Sequence, residues 1–302
     1  MERLDAVLGR VLIPLITPFK ENGAVDGDTL VDLARMVVER DLCDSIIVSG
    51  TTGEFPALTF DERLELFRLV RESVGGRLPL IAGTGAASTR EAIALTKAAE
   101  ELGYDVVMVV APFYQKPTQD GIYLHYKAIA EATRLPVMLY NIPLFTGVNI
   151  NPETLAALAR LPNIRAIKEE AGINPTQASE YARVVPKDFA VYCGDDTMVL
   201  QVLAQGGVGV VSGGSLVVGR RMKQMIAAYF QGDNATAQAL HREMYELFRA
   251  FNQNGRVNPI PLLRAALSMT WREVGPPRLP LLPGTEAEKA ELRRILVQLG
   301  LL

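Results

Sequence analysis

The sequence is poor in the histidine and cysteine that hold zinc and other transition metals. Its two histidines, His125 and His241, stand far apart on helical patterns, and its two cysteines, Cys43 and Cys193, lie in separate apolar runs. Metal sites of the catalytic or structural kind need three or four converging ligands, so a metal-dependent reaction is not expected. Two distant cysteines give no disulfide framework either, and they read as buried thiols in a reducing compartment. No apolar run approaches the roughly 18 residues of a membrane span. The N-terminal stretch lacks the basic start, long apolar segment and small-residue cleavage site of a secretory signal, so the expected location is the cytoplasm. Lys and Arg number 31 against 34 Asp and Glu, a net charge of −3 without a basic cluster. Neither nucleic acid nor an anionic membrane is an expected partner. Gly-x-Ser-x-Gly and Ser/His/Asp arrangements are missing. The glycine-dense segment 206–214 lacks the Lys-Ser/Thr of a phosphate loop and marks a close backbone approach instead.

What the chain does have is a rhythm. Short β-branched apolar runs recur at 11–17, 45–50, 78–83, 105–112, 135–143, 164–169, 189–195 and 208–214. Their length and Val/Ile content suit parallel strands buried on both faces. Amphipathic stretches lie between them, several opening on Ser, Thr, Asp or Asn and ending at Gly or Pro. Eight such units in a chain of 302 residues predict an α/β fold, a closed (β/α)8 TIM barrel over 1–219. Residues 220–302 show helical patterns only and are expected to form a C-terminal helical extension packed on the barrel.

On this fold the chemistry sits where strands end. The sixth strand ends in Lys168-Glu169-Glu170, after Ile-Arg-Ala-Ile. An amine carried into a barrel mouth is desolvated, which disfavours its charged form and makes it a nucleophile toward carbonyls. A lysine paired to a neighbouring carboxylate is the plain alternative, and position alone leaves both open. Tyr140 ends the neighbouring strand, ≈ 4.8 Å away laterally, where a phenol can move protons onto and off a carbinol oxygen; a core tyrosine with a satisfied hydroxyl fits the same pattern. Gly50-Thr51-Thr52-Gly53-Glu54 follows the second strand. Its backbone N–H groups can form a nest for a carboxylate, and it reads equally as a turn capped by threonine.

Taken together, Gly50-Thr-Thr-Gly-Glu54 with Glu62, Pro112-Phe-Tyr-Gln-Lys-Pro-Thr118, Tyr140-Asn-Ile-Pro143 with Thr146-Gly147, Ile167-Lys-Glu169, Gly194-Asp-Asp196 and Asn258-Pro-Ile-Pro261 resemble the family of dihydrodipicolinate synthase and N-acetylneuraminate lyase. The likeness runs from about Val11 to the C-terminal Gly-Leu-Leu. It implies a class I aldolase in which Lys168 forms an imine with pyruvate or another 2-keto acid, with no cofactor beyond that covalent imine. Tyr140, Thr51 and Tyr114 match the catalytic proton relay, Tyr114 reaching in from a neighbouring subunit. Thr51, Thr52 and Gly53 match the carboxylate-binding turn, and the backbone near Val211 approaches the same ligand. The resemblance also implies a homotetramer built as a dimer of dimers.

Three departures bear on the substrate and its control. Where true dihydrodipicolinate synthases carry an arginine for the aldehyde's carboxylate, this chain has Phe145, which cannot supply a charged bidentate fork. The expected activity is therefore a lyase releasing pyruvate from, or joining it to, the aldehyde of a hydroxy-keto-acid or sugar acid. 4-Hydroxy-tetrahydrodipicolinate synthase, acting on pyruvate and aspartate semialdehyde, is the alternative. A dehydratase using the same imine and a non-catalytic keto-acid-binding barrel are the more distant ones. Glu170 stands where the family has a small residue. At the positions of the family's lysine feedback site, Phe60 and Arg63 replace histidines and Ala87 replaces an amide, leaving only Glu91, so lysine is not expected to inhibit.

Overall fold

The computed structural model describes residues 3–170, 172 and 174–302; positions 1, 2, 171 and 173 lie outside the described residues. Eight strands, β1 (Val11–Pro14), β2 (Ser45–Val48), β3 (Leu80–Gly83), β4 (Val106–Val110), β5 (Val137–Asn141), β6 (Ile164–Glu169), β7 (Ala190–Cys193) and β8 (Gly209–Val211), pair in parallel in sequence order. β8 returns to β1 and closes the barrel expected from the sequence. The strands are shorter than the apolar runs that encode them. The first run continues to residue 17, while β1 stops at Pro14; Leu15 still donates its N–H to the Ile47 carbonyl of β2 at 2.9 Å.

Side chains alternate across each strand, and the alternation makes two cores. Ile13, Ile46, Val48, Leu80, Val107, Val109, Leu139, Ile167 and Val191 face outward against the surrounding helices. Leu12, Ile47, Ile81, Met108, Met138, Tyr140, Ala166, Ala190, Tyr192 and Val211 fill the interior, and Leu4 and Leu8 of the N-terminal helix Leu4–Leu8 plug the lower end. The barrel is thus a filled core with only its upper, C-terminal end available for chemistry. Cys43 and Cys193 are buried free thiols. No helix among the described residues is long and apolar enough to cross a membrane.

After β8 the chain is helical. The helix Ser215–Phe230 runs on across position 219, with Val218 departing from helical backbone angles, and packs against β1 and the helix Asn234–Ala250. The helices Ile260–Thr270 and Glu286–Gln298 complete the C-terminal part. Arg264, on the first of these, is 2% exposed and reaches back to the loops after β1 and β2, donating to the Thr17 carbonyl (2.8 Å) and to Glu54 Oε1 (3.0 Å). Through that contact the C-terminal helices brace the upper face of the barrel.

Candidate active site

Interior positions on β6 are Ala166 and Lys168, and the second is the last full turn of the pleat before the mouth. Lys168 is 6% exposed. In register it stands between Tyr140 of β5 and Tyr192 of β7. Its Nζ lies 3.9 Å from the centroid of the Tyr140 ring, over the aromatic face. The phenol of Tyr140 is also fully within the core. Burial raises its pKa above the usual phenol value, while the Lys168 ammonium and hydrogen bonds from Lys168 and Thr51 pull it back down. Lys168 and Thr51 thus both act on the Tyr140 phenol from close by.

Thr51 opens a single 3-10 turn, Thr51–Gly53, directly after β2. Its shape is enforced from several sides. Ser49 and Glu54 both adopt left-handed backbone angles (φ 61° and 56°), and Thr17 Oγ1 donates to the Gly53 carbonyl at 2.7 Å. The Glu54 carboxylate, 4% exposed, accepts from Arg264 and from the Arg278 backbone N–H (3.0 Å). Burial raises the Glu54 pKa, and the two arginines oppose that.

These groups open into a cavity of about 380 Å³ lined by Thr51, Thr52, Tyr140, Phe145, Lys168 and Val211, six of the residues singled out by sequence. Gly53 is not on that lining; its carbonyl is turned toward Thr17, leaving the two threonines to face the cavity. Tyr114 is not there either. It is 88% exposed with φ 69°, on a loop whose Phe113 packs edge-on against Phe55 at 5.7 Å. In a single chain its side chain points away from Lys168's surroundings into solvent.

Two other walls complete the cavity. One is acidic: Glu170, Asp195 and Asp196, with Lys168 the only cationic side chain among the described lining residues. Asp195 accepts from the Thr197 N–H (2.8 Å) and Oγ1 (2.7 Å), and Asp196 Oδ2 accepts from the Gly214 N–H (2.8 Å). Burial pushes Asp196 up to about 6 and Glu170 up to about 8; Asp195, Asp196 and Glu169 push Glu170 the same way, against Lys168. Behind this wall Glu169 points outward and accepts from Asn141 Nδ2 at 2.9 Å, its pKa raised by burial to about 7. The other wall comes from the C-terminal helices, through Phe248, Phe251, Asn252, Ile260 and Leu263. In the sequence only Asn258-Pro-Ile-Pro261 hinted at it, because apolar residues on distant helices carry no local sign of what they cover.

A buried lysine on a tyrosine face, at the C-terminal mouth of a barrel and beside a turn rich in hydroxyls and backbone N–H groups, is equipped to form and protonate an imine. The model of the Dihydrodipicolinate synthetase family matches residues 7–299. The chain belongs to that family. It is accordingly a lyase of the class I aldolase kind. The 4-hydroxy-tetrahydrodipicolinate synthase of Desulforudis audaxviator is 48% identical over 294 residues, covering 97% of this chain and 98% of its own. A crystal structure of the synthase from Cyanidioschyzon merolae with lysine bound superposes with a TM-score of 0.93 at 43% identity, covering 98% of this chain and 99% of the other. A structure described as the first monomeric dihydrodipicolinate synthase variant matches with a TM-score of 0.93 at 37% identity over the full length of both chains.

Proposed function

We propose that this enzyme condenses pyruvate with aspartate semialdehyde, the activity named for its 4-hydroxy-tetrahydrodipicolinate synthase relatives, and that it does so through an imine on Lys168 with no metal or organic cofactor. The observation that carries the imine chemistry is Lys168 Nζ seated 3.9 Å over the Tyr140 ring at the base of the cavity. The pyruvate carboxylate fits the Thr51–Thr52 turn, whose N–H groups and hydroxyls are neutral donors. Lys168 then attacks the keto carbon. Tyr140, in contact with Thr51, hands a proton to the carbinol oxygen, which leaves as water. The electrons of the adjacent C–H bond then move into the protonated imine while the Tyr140 phenolate takes the released proton, and the resulting enamine carbon adds to the aldehyde. Hydrolysis of the new imine returns Lys168.

Tyr114, exposed in one chain, fits as the outer member of the relay when supplied by a neighbouring subunit in a dimer of dimers acting in the cytoplasm. Its neighbour Phe113 packs on Phe55 beside the Thr51 turn, which supports an interface at that edge.

Phe145 favours a second reading. It lines the cavity where an arginine would meet the aldehyde's carboxylate, and a charged hydrogen bond of that kind contributes about 1.5–3 kcal/mol. Without it, hydroxy-keto-acid or sugar-acid cleavage gains ground. Two measurements separate the readings. Borohydride reduction with pyruvate should attach pyruvate covalently to Lys168; absence of the adduct refutes the imine and leaves a barrel that only binds keto acids. Turnover should then be compared with aspartate semialdehyde, glyceraldehyde and longer polyhydroxy aldehydes. Aspartate semialdehyde as the best substrate, improved about tenfold or more by Phe145→Arg, supports the synthase reading. A polyhydroxy aldehyde preferred by the wild type and lost in Phe145→Arg supports the sugar-acid reading.

A further inference from the structure

We propose that Glu170 is a second acid–base residue of this enzyme, giving a proton to the aldehyde oxygen as the C–C bond forms and taking it back when the bond breaks. The inference rests on the reading of Lys168 as the imine lysine, and it adds a division of labour to that reading.

Strand geometry places Glu170. Alternate residues share a face, so Ala166, Lys168 and position 170 follow one another up the inside of the barrel wall. The ladder holds the backbone there: the Glu170 N–H donates to the Asn141 carbonyl at 3.1 Å, and the Gly194 N–H to the Glu169 carbonyl at 2.7 Å. Gly194 keeps open the space that the two side chains share. A Cβ built on it would stand 2.9 Å from Lys168 Cε and 3.2 Å from Glu170 Oε2. Glu170 thus overhangs the amine on the side from which an aldehyde must arrive.

Its protonation follows from its neighbours. The charged and titratable groups around it are Lys168 and Glu169 on its own strand, Tyr140 on β5, and Asp195 and Asp196 after β7. Asp195 and Asp196 each hold donors that stabilise their anions, the Thr197 and Gly214 groups described above. Among the described residues no protein donor is bonded to the Glu170 carboxyl, and it forms no ion pair with Lys168. Several carboxyls beside one lysine cannot all ionise cheaply, and the one that no described donor touches keeps its proton. Lying near 8, Glu170 is mostly neutral at neutral pH and close to the value that suits a general acid there. Tyr140 lies above the ordinary phenol value and sits beneath the amine, where the carbinolamine steps take place.

The step balances. The enamine carbon forms its bond to the aldehyde carbon, the C=O π pair moves to oxygen, and oxygen takes the Glu170 proton. Glu170 is left as a carboxylate and the nitrogen of Lys168 as an iminium. Water then hydrolyses the iminium, and a proton from that water or from solvent restores Glu170. In the cleavage direction the carboxylate removes the hydroxyl proton and the bond electrons return to the enamine.

Glu170→Gln keeps size and shape but cannot transfer the proton. Two readouts should remain within about twofold of wild type: borohydride trapping of pyruvate, and exchange of the pyruvate methyl protons in D2O followed by NMR. Both depend on the imine and the enamine alone. The kcat for C–C bond formation, tried with glyceraldehyde and with aspartate semialdehyde, should fall about a hundredfold. The alkaline limb of the wild-type rate near pH 8 should vanish, and Glu170→Asp should restore part of the rate. Condensation by Glu170→Gln within about threefold of wild type, or an unchanged alkaline limb, would overturn the proposal. Loss of proton exchange together with condensation would also overturn it, since Glu170 would then only support Lys168. Failure of the wild type itself to trap pyruvate would remove the imine reading and this proposal with it, a result distinguishable from either. Glu170→Ala, which opens space without a polar group, should match the glutamine variant in all readouts.

Discussion

Replacing Arg264 by methionine removes a guanidinium that joins the C-terminal helices to the turn holding Thr51. Arg264 and Glu54 are 2% and 3% exposed at the side chain and meet at 3.0 Å. The same guanidinium donates to the carbonyls of Thr17 (2.8 Å), Val274 (2.8 Å), Gly275 (3.0 Å) and Pro276 (3.0 Å). Methionine fills comparable volume but leaves those carbonyls unpaired and Glu54 with only the Arg278 N–H. Removing one partner of a buried pair costs about 3–5 kcal/mol. For 302 residues, with an unfolding entropy of about 0.6 kcal/mol per degree, that is a fall in Tm of about 5–8 °C. The loss should be pH-dependent with a definite sign. Without Arg264 the folded-state pKa of Glu54 rises further above its unfolded value of 4.5, so protonation relieves the unpaired charge. The deficit should be largest at neutral pH and shrink as pH falls toward 4.5. Glu54→Gln combined with Arg264→Met removes the orphaned charge and should recover part of the lost stability. On the proposed reading the turn binds the pyruvate carboxylate, so KM for pyruvate should rise in the single variant. Thermal melts at pH 5 and 7, with borohydride labelling at graded pyruvate, read all of this. A melting temperature within about 1 °C of wild type, or a double variant no better than the single, would refute the argument.

Two further outcomes are expected. Glu62, hydrogen-bonded to Arg278, and Glu288, hydrogen-bonded to Arg256, are both held down to about 2 in the folded state. Carboxylates depressed in this way stabilise the fold above the unfolded value of 4.5, and that stability is lost as pH falls from there toward 2. Solvent screening leaves about 1 kcal/mol for the partly exposed Glu62, and the buried Glu288 should contribute at least as much, so Glu62→Gln and Glu288→Gln should flatten the acid limb of a urea-unfolding series between pH 4.5 and 2.5; an unchanged limb counts against both pairs. Lysine at micromolar concentration should leave the rate unchanged, because the Arg63 side chain is 3% exposed and bonds Ser49 Oγ (2.9 Å) and the carbonyls of Gly83 (2.6 Å) and Gly85 (3.1 Å), filling the space between the ends of β2 and β3; inhibition in a steady-state titration would contradict this.

The barrel was legible because eight buried strands need eight β-branched runs, and nothing else in the chain imitates them. Lys168 was legible for a related reason: a charged group at an inward-facing position near the end of an apolar run comes out at the mouth. The pairing of Tyr140 with Lys168 followed from adjacency of their strands and is the register observed. Glu170 could have been read by the same period of two that places Lys168, yet its partner residues Gly194, Asp195 and Asp196 come from another strand's loop. The wall made by Phe248, Phe251 and Leu263 had no local signature, since a helical apolar stripe looks the same whether it covers a core or an active site. Tyr114 shows the opposite limit: its motif is distinct in the sequence, while the single chain leaves it 88% exposed.

The charge distribution within the cavity bears on the remaining question of the aldehyde. On the proposed reading, the keto acid's carboxylate at the base meets neutral donors of the Thr51–Thr52 turn and the one cation of the described lining, Lys168, whose charge is consumed when the enamine forms. At the mouth, a second carboxylate on the aldehyde would meet Glu170, Asp195 and Asp196 and, in place of an arginine, Phe145. Keeping Glu170 protonated lowers that repulsion and turns the nearest acid into a donor. A neutral polyhydroxy aldehyde needs no such adjustment, and its hydroxyls can donate to the two aspartates. The ammonium of aspartate semialdehyde can do the same, but its carboxylate then requires a cation from outside the described lining. The two aldehydes therefore differ by an ammonium and a carboxylate that only one of them carries. Salt dependence of KM should separate them: the charges of a zwitterion entering an acidic mouth are screened by salt, and a neutral polyol is indifferent to it.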